Sequence, residues 1–187
     1  MNPYRILLLL VPFFICAGFV QAQSRNPEWA VPVTTMTVEN MHKIDEGVYR
    51  SGQPTSENFS QLYGYGIREI LNLRNWNSDD DEVKDVPLVL HRLKMRASKV
   101  SDENIVQALQ MIKNRTGPIL IHCWHGSDRT GAVSAMYRII FQGWSKEQAI
   151  DEMMNGGYGF HSIYGNIPRY INNADIEELK VKVESLK

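Results

Sequence analysis

The chain has 187 residues, a length that suits one domain with a sizeable core. With 20 Lys and Arg against 21 Asp and Glu its formal net charge is -1, which excludes the basic footprint a nucleic-acid partner requires. Composition is that of an ordinary globular protein, and no internal repeat or low-complexity segment interrupts it.

The chain opens with a positive residue, Arg5, then an apolar run from Ile6 to Val20, then Val20-Gln21-Ala22 with its small residues. That order reads as a secretory signal peptide over 1–22, cleaved after Ala22. The run is short for a membrane span and contains Pro12, so no span is expected after cleavage. Cys16 follows Phe14-Ile15, where a lipid-attachment cysteine needs a small residue. Loss of Cys16 with the signal leaves Cys123 as the single cysteine, so the exported chain is expected to carry a free thiol in a compartment that favours disulfides.

Residues 23–42 are polar, with Pro27 and Pro32, and read as an N-terminal arm with a short strand near Thr34 to Val38. The folded domain is expected over 43–187. Ile44 to Arg50 reads as a hairpin or edge strand ending at Ser51-Gly52-Gln53-Pro54. Thr55 or Ser56 caps a helix to about Tyr63, stopped by Gly64 and Gly66. Ile67 to Leu73 is a buried parallel strand. Asn75 to Asp85, with five acidic residues and no spacing suited to calcium, reads as a solvated loop. Val86 to Met95 is another strand. Ser101 caps a helix whose Ile105, Ala108, Leu109 and Ile112 share one face. Ser145-Lys146-Glu147-Gln148 reads as a capping box opening a helix through Met154. Gly156 to His161 is a glycine-aromatic loop, either a plain connection or the rim of a cleft. A last helix runs from about Ala174 to Leu186. Strands alternating with helices predict an α/β fold with a central, mostly parallel sheet flanked by helices, ligands lying beyond the carboxyl ends of the strands.

At such an end stands Gly117-Pro-Ile-Leu-Ile-His-Cys-Trp-His-Gly-Ser-Asp-Arg-Thr-Gly131. The apolar run Ile119 to Ile121 suits a buried strand, and helical periodicity resumes after Gly131. Strand, polar loop and helix N-terminus make an anion site from unpaired N–H groups and the helix dipole. An anion site also favours a thiolate, which marks Cys123 as a nucleophile. Arg129 offers a planar fork for two phosphoryl oxygens. Gly126 lets the backbone turn its amides inward, and the Thr130 hydroxyl is expected to donate to the sulfur. Metal ligation by His122, Cys123 and His125 lacks a completing pair, so neither metal nor cofactor is expected.

His122-Cys123-x-x-Gly126-x-x-Arg129-Thr130-Gly131 resembles the signature loop of the cysteine-dependent protein tyrosine phosphatase superfamily. The likeness is to its dual-specificity branch and to exported bacterial tyrosine phosphatases, and it extends from Gly47-Val-Tyr-Arg-Ser-Gly-Gln-Pro54 to about Tyr170. The resemblance implies the same α/β architecture and a monomer in the bacterial periplasm. Its substrate would be a phosphorylated protein or a small phosphomonoester, hydrolysed through a phosphocysteine. Trp124, His125, Gly126, Ser127, Asp128 and Arg129 would form the phosphate-binding loop, with His122 and Thr130 supporting it. The branch's proton-donating Asp is replaced here by Ser98, which leaves Asp128 as the first candidate for general acid and Asp102 as the second. An inositol phosphate or phosphoinositide phosphatase, suggested by Asp128-Arg129, is one rival. A phosphoresidue-binding module without catalysis, suggested by Ser98, is another, and sulfur transfer by a similar cysteine loop is a third.

Overall fold

The computed structural model describes residues 25–185, so the expected signal peptide over 1–22 lies outside the described residues. Strands β1 (Val31–Pro32), β2 (His42–Lys43), β3 (Val48–Ser51), β4 (Glu69–Asn72), β5 (Val89–Arg92) and β6 (Ile119–His122) form one sheet in the order β1-β2-β3-β6-β4-β5. The pairs β1-β2 and β2-β3 are antiparallel, whereas β3-β6, β6-β4 and β4-β5 are parallel. The strand that leads into the signature loop is therefore central, flanked by parallel neighbours on both sides.

Pleating sends alternate residues of β6 to opposite faces. Ile119 and Ile121 join Val48 and Leu71 in the larger core, built with α3 (Asp102–Lys113), α4 (Asp128–Gln142), α5 (Lys146–Asn155), α6 (Asn166–Asn173) and α7 (Ile176–Glu184). Leu120 joins Tyr49 and Ile70 against Phe59 and Leu62 of α1 (Ser56–Tyr65), in a core that also takes Val83 of α2 (Asp80–Val83). Among the described residues no helix is long and apolar enough to cross a membrane.

Helix starts follow side-chain chemistry. Thr55 and Asn58 form a capping box at α1, as do Ser145 and Gln148 at α5, and the Ser101 hydroxyl accepts from Asn104 N–H at α3. Gly66, at φ +114°, ends α1 in the left-handed region.

Five expectations are corrected. No strand forms over Thr34 to Val38; Val33 N–H donates to Met41 O instead, folding the segment into turns, and the edge strand lies earlier at Val31–Pro32. The strand expected over Val86 to Met95 is only Val89–Arg92, after which Leu93 and Met95 turn into the core. The acidic loop contains α2, and its Asp79 is buried. Helix α6 was not anticipated: Ile167 and Ile171 bury one turn apart, and Pro168 sits in the first turn, where its missing N–H breaks no bond. The last helix begins at Ile176, capped by Asp175.

Candidate active site

The loop between β6 and α4 is shaped by what holds its carbonyls. Trp124 O accepts from Gln53 N–H at 3.0 Å, His125 O from Asn40 Nδ2 at 2.9 Å and Gly126 O from the Arg50 guanidinium at 2.7 Å. In a planar trans peptide the C=O and the following N–H point opposite ways. Tying three carbonyls outward therefore turns the amides of His125, Gly126 and Ser127 toward the inside of the loop. Among the described residues no amide from Trp124 to Arg129 donates to a protein acceptor. Gly126, at φ +74°, is required: a Cβ there would fall 2.5 Å from Ser51 C and 2.6 Å from Gly52 N.

Cys123 sits at the end of β6 with a free thiol, 2% exposed. Arg129 is in the first turn of α4, its nearest protein acceptor Leu73 O at 3.4 Å, and its Nε is buried without a partner. Those N–H groups, the loop amides and the helix N-terminus together suit a tetrahedral oxyanion such as a phosphoryl group. The Thr130 hydroxyl is buried without a partner among the described residues and makes no bond to the sulfur. Trp124 and His125 are exposed at the mouth.

Beneath the loop runs a buried polar chain. His122 Nδ1 lies 3.1 Å from Cys123 O, and its Nε2 lies 2.9 Å from Asp79 Oδ2. Asp79 Oδ1 accepts from Arg74 at 2.7 Å and Gln53 at 3.1 Å. Burial alone would raise the Asp79 carboxyl, but the hydrogen bond and charge of His122, with Gln53 and Arg74, hold it below the usual carboxylate range.

The two candidate acids lie in different places. Asp128 is the first residue of α4, 7% exposed, with both oxygens turned to His161: Oδ1 accepts the His161 backbone N–H at 3.0 Å, and Oδ2 lies 2.9 Å from His161 Nδ1. Asp102 opens α3, where it accepts from the Tyr170 hydroxyl at 2.8 Å and lies 3.9 Å from Lys182 Nζ of α7. Ser98 is exposed in a two-residue turn closed by the Arg96–Lys99 bridge.

Sequence reasoning missed Arg50, Asn40, Asp79, Tyr158 and His161. Arg50, on β3, is 1% exposed and carries the Tyr158 ring 3.6 Å from its guanidinium carbon; burial pulls its basicity down, while arginine stays charged. Strand alternation with Val48 was the signal that Arg50 faces inward. Tyr158 O accepts from Asn40 Nδ2 and from the Ser127 hydroxyl, and Tyr158 OH donates to Glu152 at 2.9 Å. The glycine loop is thus keyed to the phosphate loop, although no spacing in the sequence announces it. Among the described residues no group of three His, Cys, Asp or Glu side chains is arranged to hold a metal ion.

A cysteine and an arginine around a ring of inward amides, at the carboxyl end of the central parallel strand, define the class of cysteine-based phosphatases. The model of the tyrosine phosphatase family matches residues 35–185, and the chain belongs to that family. It is a phosphatase of the protein-tyrosine and dual-specificity class. Among similar proteins, the dual specificity protein phosphatase TpbA of Pseudomonas aeruginosa is 31% identical over 164 residues, covering 86% of this chain and 73% of TpbA. A crystal structure of TpbA, with a cysteine replaced by serine and phosphotyrosine bound, superposes with a TM-score of 0.76 at 29% identity, over 86% of this chain and 98% of that one. The catalytic core of the PP-IP phosphatase Siw14 from S. cerevisiae gives a TM-score of 0.66 at 27% identity, over 76% and 90%. The inositol diphosphatase DSP2 of Oryza sativa subsp. japonica is 30% identical over 122 residues, 60% of this chain and 59% of its own.

Proposed function

We propose that this chain hydrolyses phosphomonoesters through a phosphocysteine on Cys123, with phosphotyrosine in proteins as its substrate class. In the first step the Cys123 sulfur attacks phosphorus, the S–P bond forms and the P–O bond to the leaving group breaks. In the second, water attacks phosphorus and the S–P bond breaks, returning the thiolate and inorganic phosphate. Arg129 and the amides of His125 to Ser127 hold the equatorial oxygens in both steps. The observation that carries this reading is the outward tethering of the three carbonyls, which prepares the amides for an anion before any ligand arrives. The likeness to TpbA, whose structure holds phosphotyrosine, supports the substrate class.

A second reading, an inositol polyphosphate or pyrophosphate, is favoured by the likeness to Siw14 and DSP2. Against it, the loop residues Trp124, His125, Ser127 and Asp128 bring a carboxylate and no lysine to a site that would face several phosphates. The test is a turnover screen over phosphotyrosine peptides, phosphoserine peptides and inositol phosphates, with wild type beside Cys123→Ser. Phosphotyrosine turnover that Cys123→Ser abolishes is expected. Turnover that survives in Cys123→Ser refutes the phosphocysteine, and a preference for inositol phosphates refutes the substrate class.

A further inference from the structure

Departure of a tyrosyl or alkyl oxygen needs a proton, and the residues weighed as acids so far do not supply one. Ser98 has no acidic proton to give. Asp102 is engaged with Tyr170 and faces Lys182. Asp128 is nearer, but its carboxylate already accepts two N–H bonds from one residue, His161. A carboxylate so engaged is a proton acceptor, and the ring nitrogen it holds must carry hydrogen. The pair therefore sets the His161 tautomer: Nδ1–H donates to Asp128, and Nε2 is the nitrogen left to take up or release a proton.

His161 is also well placed. Its ring centroid is 5.2 Å from that of His125, two residues after Cys123 in the phosphate loop. Both rings, with Asn40, Ser127 and Gly159, line an open hollow of about 520 Å³ against the phosphate loop, Cys123 and Arg129 lying outside that lining. The His161 side chain is 46% exposed, and its Nε2 has no protein partner among the described residues. Its backbone is fixed from two sides, by the bond to Asp128 and by Tyr158, which the phosphate loop and α5 both hold.

We propose that His161 is the proton donor to the leaving group, with Asp128 as the residue that positions it. This rests on the phosphocysteine reading. As the P–O bond breaks, the Nε2 proton passes to the departing oxygen, which leaves as a neutral phenol or alcohol. The now neutral Nε2 then takes a proton from the water that attacks the phosphocysteine, so each cycle restores the imidazolium.

A proton donor matters in proportion to the basicity of the leaving oxygen. The test compares a phosphotyrosine peptide with dinitrophenyl phosphate, whose phenoxide leaves unaided, for wild type, His161→Gln, Asp128→Asn and the double variant. Rates are those of the first turnover, before the phosphocysteine is hydrolysed, and are expressed per active site counted from the initial burst of dinitrophenol, so that neither the second step nor misfolded protein enters. His161→Gln is expected to slow the peptide by about 10²-fold and dinitrophenyl phosphate by less than about tenfold. Asp128→Asn should show the same preference in weaker form, and the double variant should be no slower than His161→Gln alone, because the two act as one unit. Equal slowing of both substrates by His161→Gln overturns the proposal, as does full additivity of the two substitutions. A wild type that forms no phosphocysteine fails earlier, at the burst itself, and removes the underlying reading instead.

Discussion

Arg129 meets the loop with parallel N–H donors, and a lysine there would bring one point charge in their place. Arg129→Lys is expected to lower kcat/KM for a phosphotyrosine peptide by at least about 10²-fold with an unchanged melting temperature. Near-normal kinetics would contradict the clamp. Asp79 acts differently, through a buried pair with His122 and Arg74. Asp79→Ala leaves the buried Arg74 without its counter-charge and His122 Nε2 without its partner, so a loss of about 3 kcal/mol is expected in a denaturant titration. A loss below about 1 kcal/mol would mean that the chain beneath the loop is not structural. These two residues also divide what could be read in advance. Cys123 and Arg129 stand out because their chemistry needs neighbours in sequence, set between a strand and a helix. Asp79 is one of several consecutive acids, and only the tertiary fold decides which of them turns inward. Arg50 and His161 are hidden for the same reason, since they reach the loop from other strands and turns.

Elements were more legible than their contacts. The capped helix starts at Thr55, Ser101 and Ser145 follow from local hydrogen bonds and are found where expected. The arm was harder, because Val38 buries and Met36 half-buries through turns rather than a period-two strand, and α6 is too short to show a full periodic signal. What locks the elements together is largely polar. Glu152 of α5 holds Arg138 of α4 at 2.8 Å, the Ala30 N–H of the arm at 2.6 Å and the Tyr158 hydroxyl at 2.9 Å. Burial alone would raise the Glu152 carboxyl, but its bonds to Arg138 and Ala30 hold it below the ordinary range. The meeting of loop and strand at Gly126 is equally close. Gly126→Ala forces a clash with the backbone of β3 and a strained φ, so turnover per folded molecule should fall at least tenfold. A fully active Gly126→Ala enzyme would show that the loop has room to shift.

At the scale of the molecule, His42 gives stability a pH dependence above the range of the carboxylates. Burial, the main cause, lowers its pKa from near 6.5 to about 4, and the ring packs edge-on to Tyr158. Folding favours the neutral ring, so its stabilisation is complete above pH 6.5 and is lost as pH falls toward 4. Melting in that window should show a loss of about 2 to 3 kcal/mol that His42→Gln largely removes. An unchanged slope in His42→Gln would assign the titration elsewhere.

The central position of β6 has a further consequence, visible in how fast amides trade hydrogen with solvent. A strand paired on both sides and buried on both faces gives up its protons only when the whole domain opens. In the glycine loop, by contrast, the amides of Gly157, Tyr158, Gly159 and Phe160 donate to no protein acceptor among the described residues and should exchange early. Cys123 thus follows a segment expected to exchange slowly, while His161 closes one expected to exchange early. Deuterium uptake resolved by residue should show that contrast, and a bound oxyanion such as vanadate should slow the loop without altering β6. Cys123 would then be carried on still backbone, beside a loop whose amides stay open to solvent.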